Sequence, residues 1–266
     1  MRGNYTGFAI LGVALLANDA SARPQKYTLV DLVEQAPLIV AGRVSSKADD
    51  VATVVVEEVV KGDDTLPEIQ LREIAKRVPV TPGLRLVPGE KVMLFLKTTS
   101  EFFTSDHQSK LDMSGSKHLI GLVQSYLTAV RNNPIRVTDA PTMILELLKD
   151  YHDLSALERR FLLQILGRST LKIPRATIDQ ALAWGMTDDA SDVRWQAFVA
   201  ARRLGLVLAK LSEFIDGLRD ADRRVRAVSF DALREESGQT FSYEPHLSAE
   251  QQPNALSDWQ SWAMRN

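Results

Sequence analysis

The feature that most constrains this chain is an internal echo. Asp192-Val193-Arg194, followed by Phe198 and Ala200, returns thirty-two residues later as Arg224-Val225-Arg226, followed by Phe230 and Ala232. Apolar residues around it recur with a helical period: Val193, Ala197, Ala200, Ala201 and Leu204 share one face, as do Leu208, Leu211, Ile215 and Leu218, and then Val225, Val228, Ala232 and Leu233. Leu157, Phe161, Ile165 and Leu166, preceded by Met143 to Leu148, supply earlier helices, with Ile178, Ala181 and Leu182 between them. Helical pairs at this spacing bury their apolar faces only against neighbouring pairs. The segment therefore predicts an α-solenoid.

Upstream, from Leu29 to about Val123, the pattern is that of strands punctuated by Gly, Pro, Asp and Ser. Leu29 to Gln35 reads as one helical segment stopped before Pro37, and Leu38 to Val44 as a buried strand. In Thr53 to Val60 the inward positions are Val54 and Val56, after which the phase slips to Val59. An extra residue at Glu57-Glu58, a β-bulge, produces that slip. Ile69 and Leu71 mark a half-exposed strand, and Val92 to Leu96 is apolar on both faces. A strand covered on both faces in a short domain implies a closed or nearly closed barrel.

The first two dozen residues follow different rules. Arg2, the apolar run Phe8 to Ala17 and an A-x-A site at Ala20-Ser21-Ala22 have the layout of a signal peptide over residues 1–22, cleaved after Ala22. Ten apolar residues cover only about half of a bilayer core, and no later stretch approaches the twenty or so that a spanning helix needs. The mature chain, from near Arg23, is expected to be exported, with no membrane span after signal removal. The sequence has no cysteine, which excludes disulfides, thiolate metal sites and cysteine nucleophiles. An exported chain without disulfides fits the periplasm or exterior of a bacterial envelope. Its 32 Lys and Arg against 34 Asp and Glu give a net charge of −2, so no nucleic-acid partner is expected.

Two family resemblances follow from quoted residues. Asp189-Ala190-Ser191-Asp192-Val193-Arg194 and Asp220-Ala221-Asp222-Arg223-Arg224-Val225-Arg226 resemble the opening of HEAT-type repeats, within a segment covering residues 154–239. The repeat at Leu157 to Gly167 lacks the Asp and the Val-Arg, as an atypical first repeat does. Gly238-Gln239, Phe241-x-Tyr243-x-Pro245 and a helix carrying Trp259 and Trp262 resemble the segment that closes such stacks, which implies a tryptophan cap. In the first half, Asp31 to Ala36, Ile39 to Val44, Val59-Val60-Lys61-Gly62 and Pro88 to Leu96 occur in an order similar to the OB-like barrel of the tissue-inhibitor-of-metalloproteinase and netrin-module superfamily. Inhibitors of that superfamily place an amino-terminal cysteine on the target's zinc, and this chain has none. The expected fold class is thus α+β in two domains, an OB-like β-barrel over residues 23–130 and an α-solenoid of HEAT-type helix pairs over residues 140–266.

No nucleophile elbow, phosphate loop, zinc-protease motif or dinucleotide fingerprint is present, so neither a catalytic site nor a cofactor is expected. His107 and His118, near Asp106 and Asp112, suggest a metal pair only if a third ligand exists, and surface histidines are the reading adopted. Arg202, Arg203, Arg223 and Arg226 are the candidate partner-binding residues. Against them stands the balance from Asp189 to Glu236, nine cations and nine carboxylates, which favours salt bridges within the stack. The expected function is a non-enzymatic protein that binds another protein or an envelope component through its helical surface. The alternative is an inhibitor or regulator of an exported hydrolase acting through the barrel loops at Arg77 to Arg85.

Overall fold

The computed structural model describes residues 27–62, 66–73, 84–104, 109–132, 142–168 and 171–265. The signal segment with Ala20 and Ala22, most of the Arg77 to Arg85 loop, His107, and most of the expected division between residues 130 and 140 lie outside them. The described chain is a mixed α+β fold, an antiparallel sheet followed by helices.

Helix α1 (Leu29–Gln35) begins where its sequence says it must. Thr28 caps it by accepting from the Asp31 N–H at 3.2 Å, the Asp31 carboxylate accepts from the Thr28 N–H at 2.7 Å, and Pro37 follows its last turn. Strands β1 (Leu38–Ala48), β2 (Val51–Lys61), β3 (Glu68–Arg72), β4 (Lys91–Thr98), β5 (Glu101–Phe102) and β6 (Lys110–Asp112) form one sheet in the order β3-β2-β1-β4-β5, with β6 also pairing β4. The bulge expected in β2 is there: Ala41 pairs Glu58 and Gly42 pairs Val56, leaving Glu57 over. Gly42 is required at that point, because a Cβ there would lie 2.3 Å from the Val55 carbonyl oxygen. Two further register shifts, at Ile39/Val40 and Val44/Ser46, add to the twist.

The sheet is not the closed barrel anticipated. It curls over its own core of Val40, Val54, Leu71, Leu94, Leu96 and Phe102, and its edge strands β3 and β5 approach one another without a ladder between them. The inference failed over β4. That strand is covered on both faces, as expected, but helices supply the second cover. Val92, Leu94 and Leu96 face the curl, while Met93 and Phe95 pack into the core formed with the helices.

Helices also begin earlier than expected. Residues 119–123, assigned to the strand-rich half, open α2 (Leu119–Asn132), whose Leu119, Leu122, Val123 and Tyr126 are all buried. Then come α3 (Thr142–Lys149), α4 (Ala156–Arg168), α5 (Arg175–Met186), α6 (Ser191–Arg203), α7 (Leu211–Gly217), α8 (Arg223–Ser237) and α9 (Pro253–Ala263). Helix α4 packs on α6 and α6 on α8, with α5 against α6 and α7 against α8. The 32-residue echo is reproduced in burial: Val193 and Val225, Phe198 and Phe230, and Ala200 and Ala232 are all inside. Leu208 departs from its predicted face at 58% exposed, because residues 208–210 form a separate 3₁₀ turn before α7.

Helix α4 joins the sheet side to the stack. Buried Glu158 accepts from Ser155 N–H at 2.9 Å, completing a cap on its own helix, and from His118 N–H at 2.6 Å at the start of α2. Gln164 accepts from Val30 N–H in α1, and Arg168 pairs with Asp31. One apolar core accordingly runs from Ile39, Met93 and Phe95 through every helix to Trp259. At the far end Trp259 is fully buried, edge-on to Phe230, Phe241 and Trp262, and Tyr243 donates to the Leu218 carbonyl at 2.5 Å.

Candidate functional site

The Val-Arg pairs of the echo do one job twice. Arg194 donates to the carbonyls of Asp188 and Asp189 at 2.7 and 3.0 Å, and Arg226 donates to those of Asp220 and Ala221 at 2.8 and 2.9 Å. Each guanidinium fastens the turn before its own helix and then reaches onward. Arg194 binds the Asp220 carboxylate at 2.7 Å and Arg226 binds the Pro245 carbonyl at 3.0 Å. Arg226, one of the four arginines singled out by sequence, is therefore only 7% exposed, with its donors used inside the molecule.

The other three differ from it and from each other. Arg202, half-buried, pairs with Glu235 across α6 and α8. Arg203 is exposed at the end of α6 and makes no hydrogen bond or ion pair among the described residues; burial and the neighbouring Arg168 guanidinium pull its pKa down. Arg223 is exposed in the first turn of α8, also without such a partner among the described residues. These arginines do not converge on one point. Arg202 and Arg203 close α6, whereas Arg223 opens α8.

A residue outside that set forms the more organised surface. Trp195, half-buried on α6, packs in part against the core and has the Arg224 guanidinium 5.9 Å from its ring centroid. Arg224 is fixed by two carboxylates, Asp192 at 2.6 Å and Asp222 at 2.6 Å, and Asp192 also meets Arg160 at 3.4 Å. Arg160, Asp192 and Arg224 are each thirty-two residues apart, so the ion relay runs across α4, α6 and α8 with the repeat itself. Hydrogen bonds from Arg224, outweighing burial, hold the Asp222 carboxyl well below the usual carboxylate range, and the same contact raises Arg224 above its own. The result is an aromatic ring and a planar cation held still at a rigid helical surface, with the Arg224 side chain still 51% exposed. Both residue types are enriched where protein partners gain most of their binding energy. The available sequence signal was a tryptophan displaced from the apolar register of its helix.

Among the described residues, no three His, Asp or Glu side chains are grouped to hold a metal ion, and no helix is long and apolar enough to cross a membrane. His118 is exposed at the start of α2. Of the proposed inhibitory loop only its last two residues are described: Leu84 is buried, and Arg85 is exposed with its carbonyl accepting from Lys110 at 2.8 Å. No family model, no curated protein and no solved structure matches this chain, so the resemblances to HEAT-type repeats and to the netrin-module superfamily are not supported by kinship, and the open sheet contradicts the barrel that the second implied.

Proposed function

We propose that this chain is a non-enzymatic interaction protein, exported to a bacterial envelope, that binds another protein or an envelope component through the exposed face of its stacked helices, which act as a short α-solenoid. The observation that carries this reading is the Trp195–Arg224 pair, held by the carboxylates of Asp192 in α6 and Asp222 at the cap of α8. A preorganised aromatic and guanidinium surface lowers the entropy cost of association, which is what a binding platform needs and a purely structural stack does not. Export is supported by the arrangement of Arg2, Phe8 to Ala17 and Ala20-Ser21-Ala22.

Affinity capture from an envelope extract tests the reading. The wild-type chain is expected to retain a specific partner and Trp195→Ala to lose at least about tenfold in apparent affinity, roughly 1.4 kcal/mol, with an unchanged circular dichroism spectrum. Equal retention of the same partner by both chains would remove Trp195 from the interface.

A further inference from the structure

The sheet carries a second feature, remote from Trp195. Its helix-facing surface is covered at Ile39, Met93 and Phe95, but the cover ends before Arg43, Glu57 and Lys91, which remain exposed. Where the turn at residues 113–117 leaves the sheet, a cleft of about 540 Å³ opens, lined on one side by these three residues and on the other by Met113, Lys117 and Ile120. Its size falls within the range of small-molecule sites, about 300–1,000 Å³.

The charges in this cleft are poorly balanced. Arg43 and Lys91 are direct partners in the β1–β4 register, and like charges placed opposite one another across strands repel. A single carboxylate, Glu57, serves both at loose range, 3.6 Å to Arg43 and 4.0 Å to Lys91. Lys117 adds a third cation with no ion pair among the described residues. Glu90, also at the rim, is neutralised by Lys110 at 2.6 Å and does not relieve the excess. Arg43 is anchored by donating to the Gly89 carbonyl at 2.9 Å, so its guanidinium is held in place with donors to spare.

We infer that this cleft binds a small organic phosphate, its phosphoryl group among Arg43, Lys91 and Lys117 and its organic part along Met113 and Ile120. A dianion with three acceptor oxygens satisfies several cations at once, and a planar guanidinium is suited to it. The volume exceeds what an inorganic ion fills, and the thioether and aliphatic side chains beyond the cations provide the apolar wall that an organic group requires.

Calorimetric titration of the full chain with glycerol 3-phosphate and with inorganic phosphate, and sedimentation with phosphatidylcholine vesicles with and without phosphatidic acid, test the assignment. Saturable binding of glycerol 3-phosphate, or of the phosphatidic acid vesicles, is expected, the two arms separating a soluble ligand from a lipid headgroup. Combining Arg43→Gln with Lys91→Gln should weaken binding about tenfold or more. Glu57→Gln should tighten it, because the competing carboxylate is gone. All three positions are exposed, so the melting temperature without ligand should hold and serves as the folding control. The assignment is overturned by absence of saturation in every arm, by saturation with inorganic phosphate alone, by an affinity unchanged in the double variant, or by weaker binding in Glu57→Gln.

Discussion

At the scale of single residues, the buried carboxylate of Glu158 shows how a local signal becomes a long-range one. Ser155 and Glu158 form an ordinary helix cap, yet the same carboxylate takes the His118 N–H forty residues away and so fixes the start of α2 on α4. Glu158→Ala leaves those part-buried donors without their acceptor and hollows the site of a buried side chain, and a loss of about 1–3 kcal/mol is expected in urea unfolding, against a few tenths for a surface change. Asp222 makes a prediction about pH. Its folded pKa is depressed by Arg224, so its contribution to stability is complete at neutral pH and is lost as pH falls below about 4 towards the folded value. Stability measured between pH 5 and pH 2 should fall less steeply in Asp222→Asn than in the wild type; identical slopes would contradict the pairing. The extent of α1 was legible because the apolar run from Leu29 and the stop at Pro37 are local signals, whereas the Thr28–Asp31 cap was found in the structure. The pairing of Arg202 with Glu235 and of Arg224 with Asp192 was not legible, since each of these carboxylates lies a whole repeat away and nothing local selects it.

Among elements, those defined by short-range pattern were readable and those defined by their cover were not. The slip from Val56 to Val59 located a bulge, and the echo at thirty-two residues located two equivalent helices. Helix α2 was missed although Leu119, Leu122, Val123 and Tyr126 carry a helical period, because the strands before it set the expectation. The doubly apolar β4 was read correctly as buried, but sequence alone does not say whether a second sheet wall or a layer of helices does the covering. Between elements, closeness itself is specified at Gly167, where a Cβ would stand 2.9 Å from the Ala200 Cα and 3.0 Å from its Cβ. Gly167→Ala must push α4 away from α6, and a destabilisation of about 1–3 kcal/mol is expected by thermal or chemical unfolding. A neutral result would show that the two helices are less tightly apposed.

Across the whole molecule, the sheet and the helices share one core, with α2 packed on the sheet at β2 and α4 tying α1 and the start of α2 to α6. That arrangement gives the stack a fixed base, so that its exposed positions keep their relative places. The candidate site was legible only in part. The arginine-rich turns drew attention to α6 and α8, where Arg226 proves structural and the organised surface centres on Trp195, which stands outside the apolar register of its helix. The sheet cleft was hidden for the same reason as the ion pairs: Arg43, Lys91 and Lys117 meet only through strand register and the turn at residues 113–117.

The most direct test of the proposed function is site-specific photocrosslinking in an envelope extract, with a photoreactive side chain placed at Trp195, at Ala227 on the neighbouring helix, and at Val55, 42% exposed on the sheet. Covalent adducts to one partner from positions 195 and 227, and none to that partner from 55, are predicted. Adducts from 55 with none from 195 or 227 would contradict the helical surface as the binding face.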